Sequence, residues 1–123
     1  MSLDLLDPSV RRLFSSLRHT GVLDGPGVTY GEAGREQRGT RVRFALRRDG
    51  SRIVEARYQA YGCPHTLAVC EWLAERLEAG EGPQMGTPTD WARKLNIPAA
   101  KLGRLLVVED ALRAALRGEN VVK

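Results

Sequence analysis

Cys63 lies in the segment Tyr-Gly-Cys-Pro-His at positions 61–65, between the pattern of an alternating strand and that of an amphipathic helix. The first N–H groups of a helix have no partners inside the helix, and the positive end of its dipole favours a thiolate over a thiol. The thiolate is the reactive form of cysteine, both as a nucleophile and as a metal ligand. The position therefore predicts a reactive thiol at Cys63.

His65 follows two residues after Cys63 and has three interpretations. It is a general base or hydrogen-bond partner of the thiol, a second ligand to a metal bound by Cys63, or an exposed histidine at a helix start with no role. A metal site needs further donors, and Glu32, Glu36 and His19 are the outside candidates.

The second cysteine, Cys70, stands seven residues after Cys63 in the same predicted helix. At a rise of about 1.5 Å per residue their Cα atoms are about 10 Å apart, beyond the roughly 7 Å limit for a disulfide. Cys70 also falls on the apolar stripe of that helix, with Leu67, Leu73 and Leu77. We therefore expect two free thiols, one reactive and one in the core.

The composition is that of a soluble globular protein, with 42% hydrophobic and 28% charged residues in a chain of 123. This length predicts a single domain over residues 1–123. No apolar run approaches the roughly 18 residues of a membrane span. The first seven residues have neither the positive region nor the apolar run of a secretion signal, which predicts a cytoplasmic protein.

Positive charge is concentrated between positions 35 and 57. This segment contains eight arginines and three acidic residues, in a chain of net charge +4. The simplest interpretation is a solvated outer face of a sheet, and the alternative is a docking surface for an acidic partner. The segment does not interleave arginines with aromatic stacking platforms, which argues against nucleic acid.

The strands that deliver Cys63 to its turn form the clearest element, a β-hairpin over about 41–61. Val42, Phe44 and Leu46 share one face, Asp49-Gly50 marks a tight turn, and the apolar face of the return strand is Val54, Ala56, Tyr58 and Ala60. Before the hairpin, the glycines between 21 and 39 predict a loop with a short strand at about 28–30.

Helices are predicted on both sides of the hairpin. The first begins at Asp7-Pro8, uses Val10, Leu13, Phe14 and Leu17 as its apolar positions, and has Gly21 available to end it. The second helix is predicted from Pro64 to Gly80 and is followed by a linker at 81–83. A short helix through Trp91 and Leu95 follows a cap at Thr87 to Asp90. The last helix is predicted from about Pro98 to Gly118, with Leu102, Leu105, Leu106, Leu112 and Leu116 buried. This order predicts an α+β fold, a small three-stranded antiparallel sheet packed against helices.

Two segments carry a resemblance to a known family. Residues 58–63, Tyr-Gln-Ala-Tyr-Gly-Cys, and residues 108–115, Val-Glu-Asp-Ala-Leu-Arg-Ala-Ala, resemble the iron–sulfur cluster scaffold proteins of the IscU type, which also form the N-terminal domain of NifU. The resemblance covers roughly Val10 to Leu116 and implies an IscU/SufE-like fold. It also implies an iron–sulfur cluster held by three cysteines and an aspartate, with a histidine beside the third cysteine.

Only Cys63 matches these ligands. By resemblance, Arg38 and Thr40 stand where the first cysteine and the aspartate are expected, and Gly103-Arg104 stands where His-Cys is expected. A guanidinium has no lone pair to give a metal, and two cations beside one thiol repel a metal ion and stabilise a thiolate or persulfide. The substitutions therefore argue against ordinary cluster ligation and favour anion stabilisation by Arg38 and Arg104.

The resemblance implies a role in iron–sulfur cluster assembly, with a cysteine desulfurase or an Hsp70-type chaperone as partner. Residues 97–101, Ile-Pro-Ala-Ala-Lys, resemble the chaperone-recognition segment of the family. We expect an accessory protein rather than a standard scaffold. The alternatives are a SufE-like acceptor of persulfide sulfur at Cys63, and a former scaffold that acts as a binding module. The sequence contains no catalytic triad, carboxylate pair or phosphate loop, so we do not expect an independent enzyme.

Overall fold

The computed structural model describes residues 6–81, 85–118 and 120–121. Its helices are α1 (Pro8–Phe14), α2 (Pro64–Glu78), α3 (Pro88–Leu95) and α4 (Leu102–Arg117), and its strands are β1 (Val28–Arg35), β2 (Thr40–Asp49), β3 (Arg52–Tyr61) and β4 (Asn120–Val121). Short 3₁₀ turns, Glu36–Arg38 and Ala99–Lys101, precede β2 and α4. The prediction that the first seven residues are not a secretion signal falls mostly on residues 1–5, which lie outside the described residues. Residues 82–83 of the linker predicted at 81–83 also lie outside them.

The strands form one antiparallel sheet in the order β3-β2-β1-β4, and helices α2 and α4 pack against it. This confirms the predicted α+β class. Strands β1 to β3 are the expected three, and β4 adds two residues at the edge beside β1. No helix of the described ranges is long and apolar enough to cross a membrane.

The predicted loop between 21 and 39 is wrong over much of its length, because β1 runs for eight residues and pairs with β2 throughout. In the sequence Gly31 suggested an interruption of the strand, but in the structure it allows close packing of α4 against β1. A Cβ built at Gly31 would lie 2.3 Å from the Ala111 carbonyl oxygen and from the Ala115 nitrogen. Glycine therefore lets α4 cross β1 in contact with its backbone.

The hairpin is confirmed, but one strand face is corrected. Arg47 pairs with Glu55 and Arg48 with Ile53, which leaves Val54 as an extra residue on β3. Such a bulge reverses the alternation of side chains beyond it. Ile53 is consequently buried and Val54 is 39% exposed, the opposite of the predicted arrangement.

Two helix predictions are also corrected. Helix α1 ends at Phe14 rather than near Gly21, because the chain turns after Ser15 and residues 19–21 hydrogen-bond to Tyr58 of β3 instead. Leu106 is 51% exposed, since α4 turns Leu105, Val108 and Leu112 toward the core. The predicted core positions of α2 at Cys70, Leu73 and Leu77 are fully buried.

Candidate functional site

Cys63 is placed by the junction of a strand and a helix. Strand β3 ends at Tyr61, and Cys63 is the N-cap of α2, with extended backbone angles of φ −80° and ψ 170°. Pro64 occupies the first helical position, where its missing N–H removes no hydrogen bond. The predicted strand-to-helix turn is thus present, with the thiol half-buried above the free N–H groups of α2.

The pKa of the Cys63 thiol is lowered from its ordinary value. Burial acts to raise this pKa, but the nearby backbone N–H and hydroxyl of Thr66 act against it. The Thr66 hydroxyl oxygen lies 3.7 Å from Sγ. The side chain of Arg104 and the backbone N–H of His65 lower the pKa further. The environment therefore favours the thiolate, the form that attacks sulfur or carbon electrophiles.

Thr66 was not among the residues predicted from the sequence. Its position three residues after Cys63 could have indicated it, because the side chain of an N-cap residue regularly meets the backbone N–H of the third helical residue. Here the N-cap is a cysteine whose side chain makes no capping hydrogen bond to the helix backbone, and its sulfur lies near the Thr66 hydroxyl instead.

A cleft of about 480 Å³ lies between α4 and the connection from β1 to β2. Three arginines line it: Arg35 at the end of β1, Arg38 in the following 3₁₀ turn, and Arg104 in the first turn of α4. Thr40 and Gly103 also line it. The cleft therefore brings together Arg38, Thr40, Gly103 and Arg104, four of the positions that the family resemblance assigned to the cluster site, and Arg35 joins them; Cys63 is not among the lining residues.

Arg104 lines the cleft and its side chain also lowers the pKa of the Cys63 thiol, whereas Cys63 itself does not line the cleft. Within the described ranges, no carboxylate lines the cleft or pairs with Arg35, Arg38 or Arg104. The cleft is therefore a concentration of unneutralised positive charge. Three arginines of the hairpin differ in having carboxylate partners: Arg41 with Glu32, Arg47 with Glu55, and Arg57 with Glu78.

His65 is only 7% exposed, so the interpretation as an exposed helix-start histidine is wrong. Its Nδ1 atom is buried and has no hydrogen-bond partner in the part of the chain that the structure describes. Burial lowers the pKa of His65, and the positive charges of Lys101 and Arg104 lower it further. Both effects favour the neutral imidazole form of His65.

The donor set does not fit a metal ion or a cluster. No group of three or more His, Cys, Asp or Glu side chains in the described ranges could hold a metal. Of the outside candidates, Glu32 pairs with Arg41, and His19 is engaged by the carboxylates Glu71 and Glu78. Arg38 and Arg104, at two of the remaining ligand positions, offer no lone pairs. Cys63 and His65 remain the predicted metal ligands, without a third donor among these residues.

His19 belongs to a separate ionisable cluster that the sequence did not predict. The carboxylate of Glu71 is fully buried on α2 and accepts hydrogen bonds from the His19 backbone N–H at 2.9 Å and the Tyr58 hydroxyl at 3.0 Å. The His19 ring nitrogen Nδ1 also meets this carboxylate. Burial raises the pKa of Tyr58, and the charge of Glu71 raises it further, so Tyr58 remains a hydrogen-bond donor.

Glu78, two turns further along α2, completes this cluster. Its carboxylate meets His19 Nε2 at 2.9 Å and accepts hydrogen bonds from the Ala56 N–H at 2.8 Å and from Arg57 at 2.9 Å. Burial alone would lower the pKa of His19, but the two carboxylates outweigh it and raise the pKa. Every ring nitrogen of His19 is therefore matched by an anionic oxygen.

The sequence matches the NifU-like N-terminal domain family over residues 7–118. The chain belongs to this family. It is 30% identical over 112 residues to an iron–sulfur cluster assembly scaffold protein, IscU, of Azotobacter vinelandii, with 85% of each chain covered. It is 27% identical over 118 residues to iron–sulfur cluster assembly protein 3 of Arabidopsis thaliana, which covers 92% of this chain and 69% of that protein.

A solved structure supports the same fold. The crystal structure of a protein from Fervidobacterium islandicum AW-1, described as a candidate iron–sulfur cluster assembly scaffold for the SUF system, matches with a TM-score of 0.67. The match covers 94% of this chain and 99% of that chain at 16% identity. The family and the IscU-like fold inferred from the Tyr-Gly-Cys turn and the C-terminal helix are thus confirmed.

Proposed function

We propose that this protein is an accessory member of the iron–sulfur cluster assembly family that accepts and carries sulfur on Cys63, rather than a standard scaffold for the cluster. The observation that carries the proposal is the placement of Cys63 at the N-cap of α2 while Arg38 and Arg104 occupy the two other expected cysteine positions; the lowered pKa of the Cys63 thiol agrees with it. Sulfur transfer needs one good thiolate and no metal ligands, and this is the set of groups present.

The chemistry begins at a desulfurase persulfide. The Cys63 thiolate attacks the outer sulfur of that persulfide, a new sulfur–sulfur bond forms at Cys63, and the desulfurase cysteine leaves as a thiolate. Arg104 stabilises the attacking thiolate and then the persulfide, and Arg38 adds positive charge in the same cleft. The protein acts here as a carrier, and the catalyst is the desulfurase that supplies the sulfur.

Docking to a chaperone remains a second element of the proposal. Residues 98–100 are exposed, and Ala99–Lys101 form a 3₁₀ turn. Ile97, directly before them, is buried and anchors the segment to the core. An exposed segment held at one end supports recognition by a partner.

The test is to incubate the protein with iron, cysteine and a cysteine desulfurase, and to follow visible absorbance and intact mass. We expect the wild type and Cys70→Ala to gain the mass of one sulfur atom without a stable chromophore, and Cys63→Ser to gain nothing. Cys70 is a suitable control because it is buried and burial raises the pKa of its thiol.

A chromophore that depends on Cys63 contradicts the sulfur-carrier proposal and favours cluster binding. The absence of both mass gain and chromophore, in protein that remains folded, favours the binding module.

A further inference from the structure

The cleft between α4 and the connection from β1 to β2 is large enough to bind a small molecule. Its volume of about 480 Å³ falls within the range of about 300–1,000 Å³ that is usual for small-molecule sites. At about 30 Å³ for each water in the liquid, this space corresponds to roughly 16 water molecules. A single phosphate or sulfate ion would therefore leave most of it unfilled.

Positive charge is present on both walls of the cleft. Arg35, at the end of β1, and Arg38, in the following 3₁₀ turn, are exposed on one wall, and Arg104 lies in the first turn of α4 on the other. Arg35 and Arg38 have neither an ion-pair nor a hydrogen-bond partner among the described residues. Glu36, which lies between them in the chain, meets Arg41 at 3.8 Å instead. Both guanidinium groups are therefore available to a ligand.

A buried hydroxyl group adds a second kind of donor. Thr40 lines the cleft although it is only 5% exposed, and its hydroxyl has no hydrogen-bond partner in residues 6–81, 85–118 and 120–121. Buried polar groups normally have such a partner, and an oxyanion in the cleft could accept this hydrogen bond. The first turn of α4 has no acidic residue and no capping side chain, so the positive end of its dipole adds to the same field.

The rest of the lining excludes other classes of ligand. It consists of Gly34, Ala100, Gly103 and Val107. None of the lining residues has an aromatic ring on which a nucleobase could stack, and none has a carboxylate that could bind a cation. The groups present therefore select for negative charge and for little else.

We propose that this cleft binds a small polyanion with two or more oxyanion groups, phosphates or carboxylates, through Arg35 and Arg38 on one wall and Arg104 on the other. A guanidinium presents paired N–H groups that match two oxygens of either group. Because the arginines stand on both sides of a space larger than one such group, a ligand with a group at each end neutralises both walls. Cys63 does not line the cleft, and the site does not rest on sulfur carriage.

Gly103 offers a way to fill the cleft without removing any charge. It lies in the first turn of α4 and lines the cleft, and a Cβ built there meets no atom within 4 Å. Leucine has a higher helix propensity than glycine, so Gly103→Leu should fold and occupy the space of the ligand. Ala99→Leu is the matched control, because it enlarges an exposed residue of the neighbouring 3₁₀ turn that does not line the cleft.

The experiment is titration calorimetry at about 0.15 M salt, where screening weakens attraction to a merely positive surface. The probes are pyrophosphate and tricarballylate, with inorganic phosphate as the reference that has one oxyanion group. We expect at least one probe to bind saturably, one per chain, and at least tenfold more tightly than phosphate. The tighter probe identifies the oxyanion group that the cleft prefers.

The variants assign the binding to the cleft. Arg35→Met, Arg38→Met and Arg104→Met should each weaken it about tenfold, the size of one charged hydrogen bond. Arg52→Met removes an exposed arginine outside the lining and should have no effect. Gly103→Leu should weaken binding at least tenfold, whereas Ala99→Leu should retain it. Thermal denaturation without ligand verifies that each variant is folded, and the arginine variants decide the assignment independently of Gly103→Leu.

Four results would overturn the proposal. They are no saturable binding to the wild type, equal binding to the wild type and the three arginine variants of the lining, equal affinity for inorganic phosphate, and binding of a hexaglutamate peptide but of neither small probe. The last result would assign the cleft to an acidic protein partner. No step uses a desulfurase or loaded sulfur, so failure of this site leaves sulfur carriage standing, and failure of sulfur loading leaves the site standing.

Discussion

The two histidines of this chain lie in opposite surroundings. His19 lies between the carboxylates of Glu71 and Glu78, and each of its ring nitrogens has a hydrogen-bond partner. His65 is also largely buried, but its Nδ1 atom has no hydrogen-bond partner among the described residues. The charged groups near it, Lys101 and Arg104, are cations. Opposite charges raise the pKa of the first histidine, and burial with like charges lowers that of the second.

The difference separates a cluster whose charged groups are paired from a cleft whose arginines have no carboxylate partner among the described residues. The His19 cluster joins residues 19–21, β3 and α2 through hydrogen bonds that are satisfied on every side. Arg35, Arg38 and Arg104 line the cleft, and no carboxylate of residues 6–81, 85–118 or 120–121 is paired with them. Unneutralised charge contributes little to folding but is available to a ligand or a reacting sulfur atom.

Glu71→Ala should give the largest effect on stability. It removes a fully buried carboxylate and leaves the Tyr58 hydroxyl and the donors of His19 without their acceptor. Breaking a buried charge pair in this way costs about 3–5 kcal/mol. Chemical denaturation should therefore show a loss of about 3 kcal/mol or more in the free energy of unfolding.

The matched control is Glu109→Ala on α4, because the Glu109–Arg113 pair is a surface pair four residues apart. Its loss should change the free energy of unfolding by about 0.5 kcal/mol or less. Equal effects of the two substitutions would remove the distinction between a structural cluster and ordinary surface pairs.

The pH dependence of stability should have opposite signs for the two histidines, with changes smaller than that of Glu71→Ala. The raised pKa of His19 gives stability that is complete below its ordinary pKa of 6.5 and is lost as pH rises through its folded value. The lowered pKa of His65 gives stability that is present above 6.5 and is lost as pH falls through its folded value.

Denaturation of the wild type, His19→Gln and His65→Gln from pH 5 to pH 9 measures this contrast. The advantage of the wild type over His19→Gln should fall with rising pH, and its advantage over His65→Gln should grow. Parallel slopes would mean that the surroundings of the two rings do not differ as described.

Local patterns were sufficient to predict the turn at Cys63. Strand alternation up to Tyr61, a glycine, and a proline at the first position of an amphipathic helix all act within a few residues of the thiol. The cap geometry that places Thr66 against Sγ is equally local, although it is usually recognised with an oxygen rather than a sulfur at the N-cap.

The remaining features depend on contacts between distant parts of the chain. His19 and Glu71 are separated by 52 positions, and nothing in the spacing of either residue indicates the other. The bulge at Val54 depends on register with β2, which strand alternation alone does not determine. Arg35 reaches the cleft because β1 continues through its glycines, and that continuation depends on α4 packing over Gly31.

The pKa of the Cys63 thiol tests the central claim most directly. It is obtained from the rate of alkylation by neutral iodoacetamide against pH, in a Cys70→Ala background that leaves one cysteine. We expect a midpoint below about 8.5, the value of a free cysteine, and a higher midpoint in Arg104→Met, with stability unchanged to within about 0.5 kcal/mol. A midpoint at or above that of a free thiol, unmoved by Arg104→Met, would contradict a cationic site that prepares Cys63 for sulfur transfer.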